Sequence, residues 1–187
     1  MSATVIDLAR LLSLPALDPE SGVAVSPDGR WAAFGWNPDG AWRIYLLDLQ
    51  LLDKPAECIT PGAGAFFRPR WSPDGRWLAY LQDLDGGENY DLWLMELQTR
   101  RRHSLTPDTP FALQPCYDWS PDSQRLVVLA EPEGFFQPFI LEFSLDWQQG
   151  YAPLAILPFL ASEVSWSPTG EWLAVITEAT AVIRRAP

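Results

Sequence analysis

Residues 71–80 read Trp-Ser-Pro-Asp-Gly-Arg-Trp-Leu-Ala-Tyr, and residues 25–34 read Val-Ser-Pro-Asp-Gly-Arg-Trp-Ala-Ala-Phe. Two worn copies follow, DWSPDSQRLVVL from Asp118 and SWSPTGEWLAVI from Ser165. The serines fall at 26, 72, 120 and 167, so the stretch returns after 46, 48 and 47 residues. Other landmarks keep step. Arg43-Ile44-Tyr45-Leu46-Leu47-Asp48-Leu49 returns as Asp91-Leu92-Trp93-Leu94-Met95-Glu96-Leu97 and, shortened, as Phe139-Ile140-Leu141-Glu142-Phe143. Ile59-Thr60-Pro61 matches Leu105-Thr106-Pro107. A fixed period of this length marks a repeat architecture.

Ser-Pro-Asp-Gly fits a type I turn position by position. Ser accepts hydrogen bonds at the first place, Pro presets φ at the second, and Gly is favoured at the fourth. The turn residues are Ser26, Pro27, Asp28 and Gly29; Ser72, Pro73, Asp74 and Gly75; Ser120, Pro121 and Asp122; and Ser167, Pro168 and Gly170. Around each turn lie short runs rich in Trp, Tyr, Leu, Val and Ile, bordered by Gly, Asp and Pro, which is a strand signature. The second unit reads as strands 67–71, 77–82, 90–97 and 102–105. Four strands per repeat of 40–50 residues describe a β-propeller blade.

The expected fold is therefore all-β: a propeller of four-stranded antiparallel blades, about three and a half of them, in an incomplete or open ring. The blades are expected at 21–62, 63–110 and 111–160, with a partial blade at 161–187. Residues 1–20 are expected to be a short helical segment. Thr4 and Asp7 have capping-box spacing, Val5, Ile6, Leu8, Ala9 and Leu12 share a face, and Pro15 and Pro19 end it. An open ring leaves strand edges and apolar faces that invite another chain. The expected partners are the remaining blades, or a second copy.

Composition narrows the function. The net charge of −11 argues against a nucleic-acid partner, which needs a basic surface. The run Arg100-Arg101-Arg102-His103 reads as a solvated hairpin. Cys58 and Cys116 make no disulfide framework and no zinc pattern. The N-terminus lacks a basic leader and no run is long enough to span a membrane, so a cytoplasmic location is expected.

Candidate chemistry is sparse. Gly-x-Ser-x-Gly is absent, and one histidine, His103, cannot activate four repeated serines. No catalytic residue and no cofactor are expected. Asp83, Asp85 and Glu88, in a Gly-rich loop, are weak candidates for calcium, although the loop lacks EF-hand spacing. The equivalent loops Asn37-Pro38-Asp39-Gly40 and Glu131-Pro132-Glu133-Gly134 are expected to share one acidic rim with it.

With these residues in view, the chain resembles the non-catalytic propeller of the prolyl oligopeptidase family, its acylaminoacyl-peptidase branch especially, and the related TolB-like propellers. Three stretches carry the resemblance: the repeated Ser-Pro-Asp-Gly-Arg-Trp; Gly86-Gly87-Glu88-Asn89-Tyr90-Asp91-Leu92-Trp93; and Thr4-Val5-Ile6-Asp7-Leu8 through Leu14-Pro15. The resemblance implies a segment that gates peptide access to an α/β-hydrolase domain lying outside this chain. That domain would be a partner, and peptides a ligand class. The alternative is a stand-alone, TolB-like protein-binding scaffold.

Overall fold

The computed structural model describes residues 15–107, 112–132, 134–143, 149–154, 157, 159–178 and 181–186. Among them there are fifteen strands and no helix. The first sheet holds β1 (Val23–Val25), β2 (Trp31–Trp36), β3 (Arg43–Asp48) and β4 (Glu57–Cys58). The second holds β5 (Ala65–Trp71), β6 (Trp77–Asp83), β7 (Tyr90–Glu96) and β8 (Arg102–Ser104). The third holds β9 (Ala112–Trp119), β10 (Arg125–Glu131), β11 (Gln137–Phe143) and β12 (Gln149–Pro153). The fourth holds β13 (Ala161–Trp166), β14 (Trp172–Thr177) and β15 (Ala181–Arg185). Each sheet is an antiparallel meander in chain order, and together they form part of a β-propeller.

The expected helical segment falls mostly on residues 1–14, outside those described. Its end, 15–20, is not helical. Leu17 makes an isolated antiparallel bridge to Trp36, and the Asp18 N–H donates to the Gly35 carbonyl at 3.0 Å. Proline at 15 and 19 suits this extended, turning path rather than a helix.

The repeated turn closes as its residue types dictate. The N–H of Gly29, Gly75 and Gly170 donates to the carbonyl of Ser26, Ser72 and Ser167 at 2.8, 2.8 and 2.9 Å. The fourth position is left-handed, with φ of 70°, 71° and 76° at these glycines. In the third turn Ser123 takes the same conformation at φ 62°, and its hydroxyl accepts the Asp74 N–H at 3.0 Å. Each serine hydroxyl also accepts the N–H of the residue opening the next strand: Trp31 at 2.8 Å, Trp77 at 2.9 Å, Arg125 at 2.9 Å and Trp172 at 3.0 Å. The Thr-Pro landmark has an equally local cause. Thr60 and Thr106 are fully buried, and their hydroxyls accept the Ile44 and Leu92 N–H at 2.8 Å.

Strict alternation along the strands sorts side chains into three layers between sheets. Ala33, Ile44 and Leu46 of the first sheet meet Trp71, Leu78, Tyr80 and Met95 of the second. Trp77, Ala79, Leu81 and Leu94 of the second meet Tyr117, Trp119, Leu126 and Val128 of the third. Val127, Leu129 and Ile140 of the third meet Val164, Trp166, Leu173 and Val175 of the fourth. The strands β6 and β10 thus bury both faces, whereas β14 alternates between exposed and buried.

Candidate functional site

The first strands of successive sheets lie side by side along the propeller's inner edge, and three of them wall a cleft of about 490 Å³. Arg68 and Arg70 come from β5, Gln114 to Asp118 from β9, and Ser162 to Ser165 from β13. All three pairings with the next strand are irregular at this level. The register shifts between Phe67 and Arg70, between Val128 and Ala130 opposite β9, and between Ala161 and Glu163. A bulge bends its strand and re-aims the side chain it carries, and bulges recur beside binding and active sites. Pro69 and Pro115 sit inside two of these strands, where a regular ladder would need their missing N–H.

Arg68 is the most constrained of the lining residues. It holds φ 51°, a left-handed conformation that a non-glycine residue adopts at a cost. Neighbouring sheets lock both of its backbone groups. Its N–H donates to the Ser21 hydroxyl at 2.8 Å, and its carbonyl accepts the Tyr117 hydroxyl. Ser21 in turn donates to the Asp18 carboxylate. Asp118 performs the same joining task one sheet later. Its carboxylate accepts the Ser165 hydroxyl at 2.9 Å, the Trp166 N–H at 2.8 Å and the Trp119 N–H at 2.9 Å. Trp71 and Trp119 complete the seams, donating their indole N–H to the Ala24 and Arg70 carbonyls at 3.0 and 3.2 Å.

The charges of the cleft are unevenly committed. Among the described residues, the ion pairs use Arg30, Arg76, Arg100 and Arg125, not Arg68 or Arg70. Glu163, on the opposite wall, is exposed and likewise outside those pairs. Burial pushes the Cys116 thiol above its ordinary range, and desolvation pushes the Tyr117 phenol far up. Both groups stay protonated near neutrality. His103, on β8, is not among the cleft residues and packs its ring edge-on against Trp77 at 6.3 Å. Ser162, Ser165 and Cys116 therefore have no imidazole within the cleft among the described residues. The cleft offers guanidinium, carboxylate and hydroxyl contacts, which suit binding.

The other sequence candidates are accounted for locally. The serines of the repeated turns have their hydroxyls committed to those turns: Ser26, Ser72 and Ser120 each donate to the aspartate two residues on at 2.5 Å. In the calcium-candidate loop, Asp83 accepts the Gly86 and Glu88 N–H at 2.8 and 3.3 Å, and Asp85 accepts the Gly87 N–H at 3.0 Å. Among the described residues no three His, Cys, Asp or Glu side chains gather in a metal-binding group. Asp83, Asp85 and Glu88 are thus not brought together as ligands, because two of the three carboxylates fold back on the loop's own backbone. The arginine run is not wholly solvated either. Arg100 pairs with Glu57 at 3.2 Å and lies over the Trp31 ring at 5.6 Å, tying the second sheet to the first. Cys58 and Cys116 are free and half-buried.

A second recess, of about 430 Å³, lies on the outward face of the fourth sheet. It is lined by Ser165, Trp166, Ser167, Trp172, Ala174 and Ile183. Trp172 is 46% and Ile183 69% exposed there. At the other end of the array, Val23 and Val25 on the outward face of the first sheet are 58% and 54% exposed. Val25 holds the position that Trp71, Trp119 and Trp166 hold in the other sheets.

No protein-family model and no curated protein matches the chain. Solved structures do match it. A TolB-type protein from Agrobacterium tumefaciens superposes with a TM-score of 0.67 at 21% identity, over 82% of this chain and 52% of that one. TolB from Acinetobacter baumannii superposes with a TM-score of 0.68 at 20% identity, over 92% and 41%. An oligogalacturonate lyase solved with manganese superposes with a TM-score of 0.66 at 18% identity, over 87% and 50%. The chain spans about half the length of these structures. They establish its fold as a TolB-like β-propeller arrangement.

Proposed function

We propose that the chain is a non-catalytic propeller segment that binds polypeptide through its inner cleft and works with its end faces covered by further propeller sheets. The observation that carries this reading is the cleft itself: three bulged inner strands wall a polar concavity that presents charge with no imidazole beside its hydroxyls among the described residues. The end faces support the second clause. Inside the chain, each sheet's first strand packs its Trp against the preceding sheet, and the recess beside Trp172 repeats that seat. Its occupant is therefore the first strand of another sheet of the same repeat type. Two free cysteines agree with work in a reducing compartment such as the cytoplasm.

The test has two arms. The purified chain is mixed with an unfolded, carboxymethylated polypeptide and with the same protein folded; the reading expects capture of the unfolded form only. The chain is also given acyl-peptide and aminoacyl-anilide substrates, on which no turnover is expected. Turnover sensitive to a serine-directed inhibitor would overturn the reading, and so would equal capture of both protein forms.

A second reading makes the segment the gate of a prolyl oligopeptidase-type serine peptidase. Residues 86–93, the end of the β6–β7 loop and the first half of β7, favour it through their resemblance to that family's propellers. It requires coding sequence for a Gly-x-Ser-x-Gly hydrolase domain in the same gene or beside it. A gene neighbourhood without one would leave the scaffold reading alone.

A further inference from the structure

We infer that the inner cleft is a site for the carboxylate end of a short peptide, with Arg68 and Arg70 as its anchors and Glu163 facing the peptide's positive end. The inference deepens the binding reading above by naming the ligand chemistry, and it rests on that cleft being the binding face.

Arg68 and Arg70 stand on one wall, β5, and both residues line the cleft. Neither enters an ion pair among the described residues, in a chain whose net charge is −11 and whose other cleft carboxylate, Asp118, is already holding three hydrogen bonds. A planar guanidinium fork matches a carboxylate in two parallel hydrogen bonds, and such charge-assisted bonds are among the stronger ones. The left-handed Arg68 backbone adds a second, independent indication. The strain is held in place by Ser21 on one side and Tyr117 on the other, so the bulge that aims Arg68 is fixed by two neighbouring sheets. A regular strand with glycine here would avoid that cost, yet the chain keeps an arginine at the position.

The opposite wall, β13, carries Glu163, and β9 lies between the walls with Asp118 accepting three hydrogen bonds from the protein itself. Cation on one side and free carboxylate on the other describe a receptor for a zwitterion. The volume of about 490 Å³ falls in the range of small-ligand sites and suits a peptide of a few residues. β9 also ends its sheet on this side, so its edge offers backbone groups to an extended peptide.

The experiment titrates the full chain with trialanine, its C-terminal amide and its N-acetyl form, following tryptophan fluorescence. Trialanine is expected to bind about tenfold more tightly than the amide, the worth of a charge-assisted pair. Arg70→Gln is expected to erase that difference while leaving the melting temperature unchanged, because Arg70 is exposed. Arg68→Asn, chosen because asparagine tolerates the left-handed backbone, should do the same. Glu163→Gln is expected to equalise trialanine and its acetylated form without touching the preference for carboxylate over amide. Equal binding of acid and amide would overturn the inference, and so would no binding of either. Inorganic phosphate competing as well as trialanine would overturn it too, since that marks an unselective anion site. Failure here with unfolded polypeptide still captured would leave the broader binding reading standing.

Discussion

The second and third sheets differ from the fourth in one respect that organises the whole molecule. In β6, residues 77–81 are all buried, and in β10, residues 126–130 are all buried. In β14 only every second residue is buried, and the exposed ones are Trp172, Ala174 and Ile176. The residue types hardly differ: Trp-Leu-Ala-Tyr-Leu in one case, Trp-Leu-Ala-Val-Ile in the other. The sequence of β14 is that of a strand covered on both sides, but the structure covers only one. The comparison teaches that the same strand pattern is buried on both faces inside the array and, among the described residues, on one face only at its end.

The largest expected effect separates the two regions by stability. Leu94 lies fully buried between the second and third sheets, and Leu94→Ala should cost about 2–5 kcal/mol through lost burial and the cavity left behind. Ile183→Ala, on the open face, should change stability by no more than about 0.5 kcal/mol. Denaturant midpoints of the two variants check this; equal losses would break the comparison.

The turns sharpen it at a lower level. Ser72 is fully buried, accepts the Trp77 N–H at 2.9 Å and donates to Asp74 at 2.5 Å. Ser72→Ala strands a buried amide and should cost about 1–3 kcal/mol. In the fourth turn threonine replaces the aspartate, and the Ser167–Thr169 contact is 3.4 Å long. Ser167→Ala should cost clearly less, on the order of 1 kcal/mol, in the same denaturation assay.

Acid should find the same difference as the smallest effect. The Ser26 hydroxyl and the Arg30 N–H hold the Asp28 carboxyl below its ordinary 3.8. At Asp122 burial acts upward, but the Ser120 hydroxyl and the Gln124 N–H outweigh it, and this carboxyl is lowered too. A depressed folded value means that the contribution is present above the unfolded pKa and is lost as the pH falls below 3.8 through the folded value. Protection from hydrogen exchange at Gly29 and Ser123, relative to the unstructured chain at the same pH, should therefore fall below about pH 4. Exchange at Gly170, whose turn carries Thr169 in place of the acid, should not follow that curve.

Much of the fold is legible in the sequence because the repeat is enforced by local chemistry. A serine that must cap the next strand, a proline that sets φ and a glycine in the left-handed region leave a signature that survives wear. The buried Thr60 and Thr106 hydroxyls do the same at the other end of each unit. The inner cleft is not legible in that way. Its walls come from positions that share a place but no residue type, Arg70 aligning with Ala24, Asp118 and Ser165. Its one sequence trace is the proline inside two strands, at 69 and 115, a residue that suits edge strands and bulges. The acids of the 83–88 loop are legible in another way: Asp83 and Asp85, closely spaced among glycines, accept the hairpin's own backbone N–H groups.

Sedimentation equilibrium of the purified chain tests the central claim most directly. On the proposal that the end faces seat further propeller sheets, the chain should self-associate above its 21.0 kDa monomer mass. Trp172→Lys with Ile183→Lys should return it to the monomer without lowering its melting temperature. A chain that stays at 21.0 kDa at every concentration and binds no hydrophobic dye would contradict the account.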